Sequence, residues 1–243
     1  MTVNKSESRI RRMFGEIAPR YDFLNHFLSF GIDTYWRWLA VRRVPPVGDA
    51  SILDLCSGTG DLELAYAKKL PPSGRILGAD FCHEMLTLGR QKAARAGHSG
   101  RLTFVEADAQ RLPFPDNSFQ IVCNAFGLRN VTDTDRGLRE MTRVCQPGGR
   151  VAVLEFSMPR RQPMRGIYLW FFRHVLPRVG QAVSRSKLGA YNYLPQSVSE
   201  FDDGQALCQR MREAELTDVQ FWPITLGVVT LYVGRKLDKA DRS

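Results

Sequence analysis

The sequence predicts an α/β protein built on a doubly wound sheet of seven mostly parallel strands, the last of them antiparallel, with helical additions. Three observations carry this. Strand-like and helix-like patterns alternate from residue 51 to residue 156. The first strand pattern runs into Gly58-Thr59-Gly60, and a helical pattern follows at once. Near the end, Thr217–Trp222 and Gly227–Arg235 are joined by so few residues that only an antiparallel pair can form.

In chain order, residues 8–43 read as helices broken near Pro19 and Gly31, and Pro45-Pro46 with Gly48 marks a boundary. Strand 51–56 is a short apolar run of the kind buried on both faces, and its helix covers about 61–70. A turn at Pro71–Gly74 leads to strand 75–79, ending at Asp80, then helix 83–96, closed by Gly97. Strands 102–106 and 119–124, helix 133–145, a turn at Pro147-Gly148-Gly149 and strand 150–156 follow. After Phe156 the rhythm breaks. Met164, Tyr168, Phe172, Val175, Val179 and Val183 form a rough helical stripe among arginines, interrupted by Pro177. Helix 204–215 and the final strand pair resume the core. The expected divisions are an N-terminal helical cap (1–45), a core (46–157), a helical lid (158–200), the rest of the core (201–236) and a tail (237–243).

Of 243 residues, 44% are hydrophobic, enough for a substantial core. Five scattered cysteines with no C-x-x-C spacing argue against disulfides or a zinc site and for a reducing, cytoplasmic setting. The four histidines form no ligand cluster, so no metal is expected. No secretory signal is visible, and no apolar run approaches a membrane span. The net charge of +9 is localised: residues 158–187 carry seven Lys/Arg and no acid, and residues 1–43 carry eight against four. Residues 44–157 balance at thirteen each. Two basic segments flanking a neutral core point to an anionic partner, nucleic acid or a membrane surface.

The chemistry begins at the glycine turn. Gly58 and Gly60 let the backbone bend and approach a small molecule closely. Asp80, 22 residues after Gly58, ends the second strand, where a carboxylate can accept both hydroxyls of an adenosine ribose. The third glycine of a dinucleotide fingerprint is missing. In its place Asp61 and Glu63 open the helix, a poor neighbourhood for pyrophosphate and a tolerable one for an ammonium group. Asp108 and Ala109, after the third strand, offer a carboxylate and a backbone N–H to an adenine. The expected ligand is an adenosine without phosphates. Taken singly, Asp80 and Asp108 read more readily as ordinary turn or N-cap acids.

This combination resembles the Rossmann-like class I methyltransferases that use S-adenosylmethionine. Further motifs narrow the resemblance: Phe14–Asn25, Ser29–Asp33, Trp36-Arg37, Phe126–Asp133, Pro147–Arg150, Leu154–Ser157 and Ala190–Val198. Together, over residues 8–236, they resemble the quinone-biosynthesis C-methyltransferases, which methylate demethylmenaquinol or a polyprenyl methoxybenzoquinol. The resemblance implies S-adenosylmethionine as methyl donor and Thr59, Asp80, Asp108 and Ala109 as its contacts, beside Gly58 and Gly60 of the turn. Cys56-Ser57 stands where many relatives have Ala-Gly, a change that a backbone-lined turn accommodates.

For such a reaction the protein must present an electron-rich ring carbon in line with the sulfonium methyl. A phenol of pKa about 10 then profits from a nearby base or cation. Arg129 and Asn130, just past the fourth strand, are with Tyr21 the expected catalytic residues; Arg129 reads equally as a stabiliser of phenolate and as a buried structural arginine. Tyr21 and Tyr191 are candidates for closing the pocket, and His174 is the weaker candidate for a base. The basic, aromatic segment 158–187 is expected to lie on an anionic membrane surface at the inner face of the cell membrane and admit a prenyl tail. A nucleic-acid methyltransferase is disfavoured, since Asn124-Ala125-Phe126-Gly127 lacks the Pro-Pro of enzymes acting on exocyclic amines. A non-catalytic scaffold subunit is the remaining alternative. The sequence leaves ring type, prenyl length and oligomeric state open, a homo-oligomer included.

Overall fold

The computed structural model describes residues 5–176, 178 and 190–238, with the side chains of 190–192 left out. Its centre is one seven-stranded sheet in the order β3-β2-β1-β4-β5-β7-β6. The strands are β1 (Ser51–Leu55), β2 (Arg75–Asp80), β3 (Leu102–Glu106), β4 (Phe119–Ala125), β5 (Cys145–Phe156), β6 (Leu216–Ile224) and β7 (Val229–Lys236). All pairings from β3 to β5 are parallel, and β7 runs antiparallel to both its neighbours. The strand order reverses between β1 and β4, which opens a crevice at their carboxyl ends.

Alternation along the strands assigns the two faces. Leu53, Leu55, Val122, Val151 and Val153 pack under α5 (Thr134–Val144) and α8 (Gln205–Glu213). Ile52, Ile76, Ile121 and Ala152 point the other way, onto α2 (Ile32–Arg43), α3 (Asp61–Ala67) and α4 (His83–Arg95). A third apolar cluster lies beyond the strand ends. There Ile10, Met13, Ile17 and Leu24 of α1 (Glu7–Leu28) pack with Tyr168 of α6 (Met164–Trp170), with Phe172 in the π-helical turn Phe171–Val175, and with Tyr193 of α7 (Ala190–Glu200). This cluster roofs the crevice.

Three expectations are corrected. Pro19 does not break α1, which runs unbroken to Leu28; the buried faces of Ile17 and Ala18 hold the helix together across the lost N–H. The other expected break, near Gly31, is present: Phe30 and Gly31, both at positive φ, separate α1 from α2. Pro147-Gly148-Gly149 is not a free turn either. It bulges within β5, whose pairing jumps from Phe119–Cys145 to Ile121–Arg150. The helix expected to reach residue 70 stops at Ala67. Of the expected lid stripe, Pro177, Val179 and Val183 lie outside the described residues, as does most of the tail.

Candidate active site

The turn after β1 is strained in a way the sequence signals only in part. Gly58 and Gly60 have φ of 57° and 84°, and Cys56 adopts 51°, a region costly for a residue with a Cβ. Asp80 fastens this turn to the end of β2 by accepting the backbone N–H of Gly58 at 2.9 Å and of Cys82 at 2.8 Å. A carboxylate offers about four acceptor sites, so capacity remains towards the adjoining cavity. Burial pushes Asp80 up to about 6 despite these donors.

That cavity, about 60 Å³, is lined by Gly58, Asp80, Phe81, Met85, Asp108 and Ala109, with Asn130 on the far side. Asp108 also accepts the backbone N–H of Gln110 at 2.9 Å. Thr59 and Gly60 are not among the lining residues. The buried Thr59 hydroxyl donates to Asp22 of α1 at 2.5 Å and accepts from Lys92 of α4 at 3.2 Å. Gly60 backs onto Phe104, whose ring would lie 3.0 Å from any Cβ placed there. Nor do the helix-opening acids face the cavity. Asp61 is paired with Lys92 and, at 3.6 Å, with Arg37.

Glu63 is turned inward onto Asp54 in the middle of β1, and both side chains are fully enclosed. Neither Glu63 oxygen has a donor partner among the described residues, and Gly78 leaves the room that its carboxyl fills. Burial raises both: Glu63, pushed further by the neighbouring Asp54, stands well above the usual carboxylate range, and Asp54 stands at about 7 although its hydrogen bonds with Glu63 and Cys123 act to lower it. The two carboxyls therefore share a proton at neutral pH.

A second cavity of about 290 Å³ opens between the roof and the ends of β4 and β5. Its walls are mostly apolar, from Ile17, Trp36, Phe126, Phe156, Ile167 and Trp170, and its buried cations are Arg37 and Arg129. Phe14, Tyr21 and Phe126 line both cavities, so the two meet there. Arg129 donates to the buried Glu155 at 2.7 Å and to the carbonyl of Phe126, and its guanidinium lies 5.3 Å from the centre of the Phe156 ring. Its Nε has no partner among the described residues. Arg129 is thus a buried structural arginine in the cavity wall with one donor left without a partner among the described residues. Asn130 accepts the Tyr193 hydroxyl at 3.0 Å, which fixes its orientation. Burial raises the phenol of Tyr21, while Asn25, Arg129 and Arg37 act to lower it. The Tyr191 side chain lies outside the described residues, and His174 is exposed and outside the cavity lining.

The sequence reading missed Arg37 as a site residue. Its buried guanidinium is held by Asp33 at 2.6 Å, and Asp33 also accepts from Ser29 at 2.9 Å and from His26. Burial opposes it, but Arg37, His26 and Ser29 bring the Asp33 carboxyl below its usual range. It also missed Glu155, although an acid inside the apolar run Val151–Phe156 is a readable sign of a buried partner. Among the described residues no group of three or more His, Cys, Asp or Glu could hold a metal ion.

Comparison with known proteins agrees with this architecture. Among solved structures, a SAM-dependent methyltransferase from Thermotoga maritima superposes with a TM-score of 0.63 at 16% identity, covering 93% of this chain and 98% of that one. A phosphoethanolamine N-methyltransferase from Haemonchus contortus, solved with S-adenosyl-L-methionine, gives 0.60 at 14% identity, covering 89% of this chain and 60% of its own. These likenesses show the fold. Curated relatives are nearer in sequence. The Geobacter sulfurreducens ubiquinone/menaquinone biosynthesis C-methyltransferase UbiE is 45% identical over 96% of this chain and 91% of its own length. The Chlorobaculum parvum demethylmenaquinone methyltransferase is 40% identical over 96% and 94%. With a family model matching residues 1–236 as well, the chain belongs to the ubiE/COQ5 methyltransferase family.

Proposed function

We propose that the protein is an S-adenosylmethionine-dependent C-methyltransferase converting demethylmenaquinol to menaquinol, a reading supported by relatives named demethylmenaquinone methyltransferase. The observation that carries this is the meeting of two unlike cavities at Phe14, Tyr21 and Phe126. One is small and polar-ended; the other is apolar and contains Arg129. The lining of the small cavity has the chemistry an adenosine needs, though its volume is smaller than the nucleoside: Asp80 retains acceptor capacity for ribose hydroxyls, Phe81 and Met85 supply apolar walls, and Asp108 supplies a carboxylate for an amino group. When bound, S-adenosylmethionine supplies an electrophilic methyl group.

The chain's own residues hold the acceptor. Phe126, Phe156 and Trp36 would grip a flat ring and exclude water, which strengthens every charge interaction inside. Arg129, kept charged and oriented by Glu155, would favour the phenolate over the phenol and so raise electron density on the ring carbon. Tyr21, at the junction, would close the passage around the reacting atoms. A polyprenyl methoxybenzoquinol is the second acceptor, favoured by the double name of several relatives.

No helix among the described residues is long and apolar enough to cross a membrane. We infer that the enzyme works at the inner membrane surface. The mouth of the large cavity supports this: Phe30, Ile167 and Trp170 line it and are 83%, 56% and 59% exposed. Arg165, Arg173 and Arg178, all exposed, follow or flank Ile167 and Trp170 in the sequence and carry the charge that an anionic bilayer would attract. Reversing charge at Arg165, Arg173 and Arg178 should abolish co-sedimentation with anionic liposomes; unchanged binding would refute that part.

The decisive test is transfer of a labelled methyl group onto short-chain demethylmenaquinol under reducing conditions. Turnover is expected. Labelling of RNA but not of quinol would overturn the proposal.

A further inference from the structure

Two buried polar atoms at the large cavity have no hydrogen-bond partner among the described residues: the hydroxyl of Tyr168 and the Nε of Arg129. Both residues line the cavity, and both are more than nine-tenths buried, at 4% and 6% exposure. An unsatisfied buried donor is disfavoured by about as much as a hydrogen bond is worth, so native proteins rarely keep one without a use. The two donors come from separate elements, one from α6 and one from the turn after β4, and their residues line the same cavity.

The Tyr168 ring itself is well supported, stacked on Phe172 at a centroid distance of 4.1 Å. Packing therefore explains the ring but not the hydroxyl. Burial pushes this phenol above its usual range, so it remains a donor at any physiological pH. The Nη1 of Arg129 is already taken by Glu155 and the carbonyl of Phe126.

We propose that Tyr168 is a substrate-binding and specificity residue: its O–H and the Nε–H of Arg129 together grip one ring oxygen of the quinol acceptor, fixing which ring carbon faces the methyl donor. This rests on the quinol reading above. It adds that the lid recognises the hydroxyl on the ring, and not merely the apolar body of the substrate.

The test is equilibrium binding, read by quenching of the cavity tryptophans, under anaerobic reducing conditions. The ligands are a short-chain 2-prenyl-1,4-naphthalenediol and its two mono-deoxy analogues, each with wild type and Tyr168→Phe. Wild type should bind the diol about ten-fold more tightly than one mono-deoxy analogue. Y168F should bind that analogue as wild type does and lose the preference. Removing an unpaired hydroxyl should also raise the Tm of the ligand-free protein, by about 2 °C or more. A purely structural tyrosine would not show weaker binding together with greater stability.

Equal weakening of all three ligands in Y168F, or an unchanged preference, overturns the inference and leaves the quinol reading intact. If wild type binds neither the naphthalenediols nor the matching benzenediols, the quinol reading itself fails and this inference with it. Should Y168F fold poorly, Tyr168→Met with S-adenosylhomocysteine affinity as the folding control gives the same comparison.

Discussion

The two cavities that meet at Tyr21 are built by opposite rules. The small one is made of consecutive strand ends: Gly58 after β1, Asp80 at the end of β2, Asp108 after β3. Each is positioned by its own strand, and the hydrogen bond from Gly58 to Asp80 spans only 22 residues. The large one draws on α1, α2, the ends of β4 and β5, α6, α7 and the turn before β7. Its walls depend on contacts such as that of Trp36 Nε1 with Thr225, 189 residues away. A local pocket can serve many methyltransferases. A pocket assembled from the whole chain can change its occupant with every cap.

Substitutions should separate the two accordingly. The largest effect is expected at Arg129. Arg129→Leu leaves Glu155 buried without its partner and should lose about 3–5 kcal/mol of stability in denaturant titration. Arg129→Lys keeps the charge but not the planar fork, and turnover should fall at least about a hundred-fold. Cofactor affinity in the lysine variant should barely move. An equal loss in both would show that the cavities are not independent in this sense.

Asp80→Asn should do the reverse, weakening cofactor binding by roughly ten- to a hundred-fold, the range for a hydrogen bond to a charged group. The pH dependence sharpens this. Protonation near 6 removes an acceptor, so wild-type affinity for S-adenosylhomocysteine should rise as pH goes from 5 to 7. Calorimetry on D80N should show a flat profile; a parallel rise would put the titrating group elsewhere.

The smallest effect concerns stability at the Asp54–Glu63 pair. Their raised values mean that the native state holds protons the unfolded chain releases between about pH 4 and 7. Stability should therefore decline as pH rises through that window. Asp54→Asn should flatten the decline in denaturant midpoints measured across it, and an unaltered slope would refute the shared proton.

What could be read in the sequence follows the same division. Asp80 and Asp108 were legible because strand ends are local, and an acid at a strand end has few places to go. The turn glycines were legible too, but not the direction of Thr59. That depended on Asp22, which arrives from a separate helix. The continuity of α1 through Pro19 depended on burial against the lid cluster, and the Gly148-Gly149 bulge on register with β4. Tyr168 looked like one member of an apolar stripe. Only the fold shows that its hydroxyl lacks a partner.

Asp22 has one more consequence. Through Thr59 and Lys92, and through the pairing of Lys92 with Asp61, it ties α1 to the glycine turn, α3 and α4. The same helix roofs both cavities. Each ligand that presses this shared shutter closed spares the other part of the work of ordering it. Linkage makes such help mutual and equal in size. Donor and acceptor should therefore recruit one another, and the methylated product should be released most readily once its companion has gone.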